Sequence, residues 1–90
     1  MTDAWIKVKI MPESPDTDLE EIETKAEKII AMNESSNIKM EREPVAFGIN
    51  AIIATFARDE NLGTDDLLGK LKEIENTISA EVIDFRRAIG

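Results

Sequence analysis

The feature of this sequence that most restricts the fold is the order in which strand-like and helix-like hydrophobic patterns follow one another. Residues 4–11 alternate apolar and polar side chains, which is typical of a strand with one buried face. Apolar residues then recur at helical spacing from Asp18 to Met32, and both kinds of pattern return later in the chain. The predicted elements are strands at 4–11, 38–43, 47–57 and 81–87 and helices at 18–32 and 65–76.

This β-α-β-β-α-β order predicts an α+β domain in which a four-stranded antiparallel sheet carries both helices on one face. Right-handed crossovers place the first and third strands at the centre. The third strand carries apolar residues on both of its faces, as expected for a central strand. The other face of the sheet stays open, and four charged residues should lie close together on it: Lys7, Lys9, Asp84 and Arg86.

Local signals predict how some of these elements begin and end. Thr64 is expected to cap the second helix, and a turn is expected over residues 43–46, where a proline interrupts strand pairing. In the last strand, we expect Ile83 and Phe85 to face the core and Val82 to point away from it.

Length and charge exclude several functions. The 90 residues carry 19 acidic and 11 basic side chains, for a formal net charge of −8. Because such a surface repels phosphate groups and anionic lipids, we expect neither direct nucleic-acid binding nor membrane docking. The length suits a single domain over 1–90, and the absence of cysteine fits a reducing cytoplasm. We also expect the free protein to be a monomer.

The residue types that most often perform catalysis are missing. Histidine and cysteine are both absent, so the usual general base, thiol nucleophile and transition-metal ligands are not available. Four acidic residues match the spacing of a calcium loop, but Glu21 occupies the position that needs glycine. We therefore predict no catalytic residue, no metal site and no cofactor, and a protein that acts by binding rather than as an enzyme.

The segment from Glu43 to Gly48 holds the strongest candidate for a binding residue. A proline is followed by Phe47 and then by Gly48, which lets another backbone approach closely. One interpretation makes this a hairpin corner with Phe47 packed in the core, and the residues alone favour it. The other offers the aromatic ring to a partner protein, where such an anchor is often worth about 2 kcal/mol or more.

Three stretches of the chain resemble the archaeal elongation factor 1-beta family: VKIMPESPDTDLEEI (8–22), EPVAFGINAI (43–52) and VIDFRRAIG (82–90). The resemblance implies a ferredoxin-like fold and a nucleotide-exchange factor for elongation factor 1-alpha, the GTPase that delivers aminoacyl-tRNA to the ribosome. It also implies that the GTPase contacts Phe47 and Gly48, and that its magnesium and phosphate site is disturbed so that GDP leaves. Eukaryotic relatives carry a C-terminal lysine that reaches this site, and the nearest cations here are Arg86 and Arg87.

A second hypothesis keeps the same fold and gives it a different function. Many split β-α-β domains pair edge to edge and hold metabolites at the dimer seam, which would make the chain a small-molecule regulatory module. An acylphosphatase-like enzyme would need a phosphate-cradling loop after the first strand, and residues 12–16 are acidic and poor in donors. The resemblance favours the exchange factor over both.

Overall fold

Four strands and two helices form in the order that the sequence predicts. In the computed structural model, which describes residues 3–87, the strands are β1 (Asp3–Pro12), β2 (Ser35–Ala46), β3 (Ile49–Asp59) and β4 (Thr77–Arg87). The helices are α1 (Leu19–Met32) and α2 (Asp65–Lys72), and a short 3-10 turn spans Glu60–Leu62. The sheet order is β2-β3-β1-β4 with every pair antiparallel, so β1 and β3 are central. This is the predicted α+β, ferredoxin-like architecture.

The core lies between one face of the sheet and both helices. It takes alternate side chains from β1 and β3 and one apolar stripe from each helix. Its buried members include Ile6, Val8, Ile10, Ile22, Ala26, Ile30, Ile52, Ala54, Phe56, Leu67 and Leu71. Each large apolar side chain contributes about 1.5–3 kcal/mol to folding when it is fully buried. Because the helices cover only this face, the opposite face and the sheet ends remain available for contacts with other molecules.

Helix α1 begins after Asp18, whose side chain caps it. The Asp18 Oδ1 atom accepts a hydrogen bond from the backbone N–H of Glu21 at 3.3 Å, which satisfies one of the free donors of the first turn. Glu20 and Glu21 lie in that turn, where the helix dipole favours acidic side chains. Buried residues recur every four positions along α1, so its apolar stripe is the predicted one.

Helix α2 is shorter than predicted. It ends at Lys72 rather than Asn76. Thr64 occupies the N-cap position, as predicted, but its side chain makes no capping hydrogen bond. The chain then turns, with Asn76 at a φ of 69°, and β4 begins at Thr77. Thr77 pairs with Pro12 of β1, and this contact between distant segments draws the residues after α2 into the sheet. Helical periodicity carries no signal of such a contact.

A bulge in β4 changes the faces of its last residues. Lys7 pairs with Asp84, and the next residue of β1, Val8, pairs with Val82. Ile83 is therefore an extra residue in the ladder, as in a β-bulge. Val82 packs against the core, so the prediction that it points away is wrong.

Two large apolar side chains of β4 near the bulge lie partly in solvent. Ile83 is 46% exposed and lines an open groove with Lys7 and Ile53, so the prediction that it faces the core is wrong. Phe85 pairs with the buried Ile6, which places it on the helix side of the sheet, yet 46% of it remains exposed. Since β4 is an edge strand, it has a neighbouring strand on one side only.

The connection between β2 and β3 is tighter than predicted. Strand β2 continues through Pro44 to Ala46, because an edge strand tolerates a residue that lacks an N–H donor. Ala46 pairs with Ile49, so the turn consists of Phe47 and Gly48 alone. The predicted turn before Phe47 and the predicted start of β3 at Phe47 are therefore wrong.

Arg58 is a buried cation that the sequence pattern assigns to a loop and the structure places in β3. Only 8% of it is exposed. Its Nε donates to the carbonyl oxygen of Gly63 at 3.0 Å, and a terminal nitrogen donates to the carbonyl oxygen of Asn33. Lys70 Nζ adds a hydrogen bond to Asn33 Oδ1 at 2.9 Å. These bonds fasten the loops at the end of the sheet that lies away from Phe47.

Candidate protein-binding site

Phe47 stands at the tip of the β2–β3 hairpin with 95% of its surface exposed. Its φ is 52° and that of Gly48 is 76°, and a two-residue type I′ turn requires positive φ at both central positions. Such turns favour Asn-Gly, Asp-Gly and Gly-Gly, because most side chains resist the left-handed region. The interpretation that packs Phe47 in the core is therefore wrong, and the ring is open to solvent.

The conformation of Phe47 costs stability and regains none of it through packing. A residue other than glycine in the left-handed region costs about 1–2 kcal/mol, and a ring that is 95% exposed buries little apolar surface in return. Residues held in unfavourable backbone conformations concentrate at binding and catalytic sites. A contact with another molecule explains Phe47 better than folding does.

The loop between β1 and α1 lies beside the hairpin tip. A Cβ atom built on Gly48 would lie 3.9 Å from the Cβ of Pro15, so the two segments are neighbours. The loop is held by hydrogen bonds: the Ser14 N–H donates to Thr17 Oγ1 at 3.2 Å, and the Glu13 N–H donates to a carbonyl oxygen just before β4 at 2.9 Å. The tip and this loop together form one continuous end of the domain.

The two C-terminal arginines lie at the opposite end of the sheet from Phe47. Arg86 pairs with Trp5 on β1, and Trp5 pairs in turn with Ala57 on β3. Ala57 is eight residues along β3 from Ile49, which follows the hairpin tip, so about 27 Å of strand separates the two places. The sequence-predicted binding residues therefore fall into two groups, one at each end of the sheet.

Arg86 lies on the open face of the sheet, beside a shallow groove of about 320 Å³. The groove is lined by Trp5, Lys7, Thr55, Asp84 and Arg86. Arg86 Nε lies 3.1 Å from Asp84 Oδ2, but 78% of the Arg86 side chain is exposed, so water screens the pair. Lys7 pairs with Asp84 and lines the same groove as Asp84 and Arg86, so three of the four predicted charges lie together. Lys9 pairs with Glu81 further along the sheet and does not line this groove.

Arg87 lies on the other side of the sheet from Arg86. It pairs with the buried Ala4, and its Nε lies 2.9 Å from Glu60 Oε2 in the 3-10 turn. Its side chain is 74% exposed. Because exposed ion pairs of this kind contribute little to stability, either arginine can give up its internal partner for one on another protein. Residues 88–90, the end of the third resembling stretch, lie outside the described residues.

Trp5 and Val45 are exposed apolar residues that are not among the predicted partner-binding residues. Trp5 is 43% exposed on the open face, and Val45 is 44% exposed two residues before Phe47. Because side chains alternate along β1, Trp5 points to the face opposite to that of the buried Ile6, and this alternation is the sequence signal for its exposure. No comparable signal exists for Val45, because the ladder between β2 and β3 shifts register at this point.

The exposed side chains at the two ends of the sheet are suited to contacts with another protein. Among residues 3–87, no group of three or more carboxylates is arranged to hold a metal ion. No helix in that range has the length and apolar character needed to span a bilayer. An exposed aromatic ring and exposed guanidinium groups offer apolar burial and charge-assisted hydrogen bonds to a partner.

Replacing Phe47 with asparagine is expected to stabilise the domain. Asparagine accepts the left-handed conformation more readily, and Asn-Gly is a preferred pair for this turn. We expect the free energy of unfolding to rise by about 1 kcal/mol, as measured by urea denaturation of the variant and the unaltered chain. Phe47→Ala is the control, because it removes the ring without supplying a side chain suited to the turn. A lower free energy of unfolding in Phe47→Asn would show that the ring packs against the domain.

The sequence matches known proteins along nearly its whole length. Residues 5–88 match the family model described as the EF-1 guanine nucleotide exchange domain. Elongation factor 1-beta of Methanosarcina barkeri is 35% identical over 88 residues, which cover 97% of this chain and 99% of that protein. Elongation factor 1-beta of Pyrococcus horikoshii is 40% identical over 77 residues, which cover 83% of this chain and 84% of that protein.

Two solved structures are similar in fold. LarC2, the C-terminal domain of a cyclometallase involved in the synthesis of the NPN cofactor of lactate racemase, matches with a TM-score of 0.62 at 17% identity. The match covers 99% of this chain and 58% of that one. The de novo designed protein Foldit4 matches with a TM-score of 0.63 at 10% identity and covers 98% of both chains. At these identities the likeness concerns the backbone architecture alone.

Proposed function

The chain belongs to the EF-1 guanine nucleotide exchange domain family, and we propose that it binds elongation factor 1-alpha and speeds the release of GDP from it. The observation that carries the proposal is Phe47, which is 95% exposed in a strained turn at one end of the sheet. With neither histidine nor cysteine in the chain, the domain contributes binding and no bond chemistry. GTP then enters the emptied site.

Binding energy is the source of the acceleration. Speeding GDP release a thousandfold requires the barrier to dissociation to fall by about 4 kcal/mol. To the extent that the equilibrium affinity for nucleotide also falls, bound nucleotide weakens the binding of the factor by the same ratio. This reciprocity allows incoming GTP to displace the factor, which can then act on another GTPase molecule.

The two groups of binding residues suit two parts of this task. Phe47 supplies an apolar anchor, and such anchors are worth about 2 kcal/mol or more when a partner's pocket buries them. Arg86 and Arg87 supply guanidinium groups that pair with carboxylate or phosphate oxygens. Near the magnesium and phosphate site of the GTPase, these groups compete with the metal ion for its ligands. A typical interface of about 800 Å² per partner is about 30 Å wide, which is enough to include both ends of the sheet.

The proposal is tested by following the release of fluorescent GDP from purified elongation factor 1-alpha. The unaltered domain should accelerate release strongly, and the double variant Arg86→Ala/Arg87→Ala should lower the maximal release rate about tenfold, since a group that acts on the nucleotide site contributes mainly to the rate at saturation. Lys39→Ala is the matched control, because Lys39 is also an exposed cation with a weak ion pair, to Glu41 at 3.7 Å. It should change the rate by less than about twofold.

Two outcomes would contradict parts of this proposal. If the double variant were as active as the unaltered domain, the arginines would not act at the nucleotide site, and Phe47 would remain as the proposed anchor. An unaltered domain that neither binds the GTPase nor speeds GDP release would overturn the function itself. In that case a dimer stabilised by metabolites in equilibrium sedimentation would support the small-molecule regulatory module instead.

A further inference from the structure

Glu60 is an acidic residue outside the predicted site, and the structure places it against Arg87. It begins the 3-10 turn that follows β3, and 23% of its side chain is exposed. Its Oε2 atom is buried and accepts no hydrogen bond from another described residue, although Arg87 Nε lies 2.9 Å away. The contact is therefore an ion pair without hydrogen-bond geometry, and the charge of Arg87 compensates this buried oxygen.

The turn that carries Glu60 is fastened to the domain on both sides. Within the turn, Asp59 Oδ1 accepts a hydrogen bond from the backbone N–H of Asn61 at 2.9 Å. Just after the turn, the carbonyl oxygen of Gly63 accepts a hydrogen bond from the Nε of the buried Arg58 at 3.0 Å. Because these bonds hold the backbone around Glu60, its side chain has a defined position from which to hold a partner.

The ion pairs of the two C-terminal arginines differ in what they fix. Arg86 pairs with Asp84, two residues earlier on the same strand, so that pair does not hold Arg86 against another element. Arg87 pairs with Glu60, which lies on the separate, fastened turn. The Glu60 side chain is also less exposed than that of Asp84, at 23% against 36%. Since charges attract each other more strongly where water is excluded, Glu60 restricts Arg87 more than Asp84 restricts Arg86.

Arg87 does not need to leave Glu60 in order to bind a second anion. A guanidinium group carries five N–H donors in a planar fork, and the close contact with Glu60 is made by Nε. The two terminal nitrogens can therefore still form a bidentate contact with a carboxylate or a phosphate. A side chain that is already held in place loses less conformational freedom when it binds.

We infer that Glu60 is a positioning residue for nucleotide exchange, because it holds the Arg87 guanidinium in place to meet carboxylate or phosphate oxygens at the nucleotide site. The inference rests on the proposed function and adds a residue that acts through Arg87 rather than by touching the nucleotide. If Glu60 served the fold alone, the effect of removing its charge would not depend on Arg87. This difference makes the inference testable.

The experiment follows the release of fluorescent GDP from elongation factor 1-alpha over a range of factor concentrations. This separates the release rate at saturation from the concentration that gives half of that rate. Glu60→Gln removes the charge and keeps the size of the side chain, and it is studied alone and together with Arg87→Ala, beside Arg87→Ala alone. Glu41→Gln is the matched control, because Glu41 is also an acid with a single ion pair, to Lys39 at 3.7 Å. Thermal unfolding of every variant reports its stability.

Glu60→Gln should lower the release rate at saturation about three- to tenfold and change the half-saturating concentration by less than about twofold. In the Arg87→Ala background the same substitution should have no further effect, because the group that Glu60 positions is gone. Glu41→Gln should stay within about twofold of the unaltered domain. The melting temperature of Glu60→Gln should stay within about 4 °C of that of the unaltered domain, since the ion pair is largely exposed on the arginine side.

Three results would overturn the inference and leave the proposed function standing, since the unaltered domain would still release GDP. The first is an unchanged rate with Glu60→Gln. The second is a faster rate, which would show that Glu60 competes with the GTPase for Arg87. The third is a loss of equal size in the Arg87→Ala background, which would assign Glu60 to the fold. An unaltered domain without exchange activity would overturn both the inference and the proposed function.

Discussion

Phe47→Ala is expected to lower the rate at which the domain releases GDP from elongation factor 1-alpha by about 30-fold or more, under conditions where the factor does not saturate the GTPase. A central aromatic anchor is worth about 2 kcal/mol or more to binding, and each 1.36 kcal/mol changes the rate tenfold. Because the ring is 95% exposed in the free domain, its removal takes away no core contact. The release of fluorescent GDP measures the loss of activity, and thermal unfolding of the same samples measures whether stability is kept.

Met32→Ala is the matched control for this prediction. Met32 is another large apolar side chain with 75% of its surface exposed, and it ends α1 away from the hairpin tip. Its truncation should leave GDP release within about twofold of the unaltered domain. If Phe47→Ala kept full activity, Phe47 would not be the anchor. If it lost activity together with several degrees of melting temperature, the ring would belong to the fold.

Phe56→Ala is expected to lower the stability of the domain strongly, whereas Phe47→Ala is expected to lower GDP release without loss of stability. Phe56 lies in β3, pairs with Ile6 and is fully buried under the helices. Truncating a buried phenylalanine to alanine costs about 3–5 kcal/mol, because apolar contacts are lost and a cavity remains. In a domain of this size, the melting temperature should fall by at least about 12 °C. Thermal and urea denaturation measure the effect.

The comparison of the two phenylalanines separates folding from binding. At a temperature where Phe56→Ala is still folded, its GDP release per folded molecule should be close to that of the unaltered domain. A cost below about 1 kcal/mol for Phe56→Ala would contradict the position of this ring in the core. A loss of activity in the folded variant would show that Phe56 also supports the binding surface.

Local periodicity predicted the central parts of the fold. The alternation of Ile6, Val8 and Ile10 is reproduced as alternating burial in β1, and the four-residue spacing in α1 is reproduced as its buried stripe. These signals are reliable because the side chains concerned are neighbours within one element, so backbone geometry alone brings them to one face. The element order then left few topologies for a sheet with both helices on one side.

The ends of the elements and the faces near them were not predictable in the same way. Ile83 is displaced by a bulge that depends on how β4 pairs with β1, and Thr77 enters the sheet because it meets Pro12. The residues alone favour a core position for Phe47 at a hairpin corner, whereas the family resemblance implies a contact with the GTPase. The register between β2 and β3 instead makes it half of a two-residue turn, and this leaves the ring in solvent.

By itself the sequence determined the order of strands and helices, the buried face of β1 and α1, and the lack of histidine and cysteine. Each of these follows from residue identity or from spacing within one element. Only the tertiary structure decided that Phe47 is exposed and that about 27 Å of strand separates it from Arg86. Both depend on strand register, which is set by contacts between segments far apart in the chain.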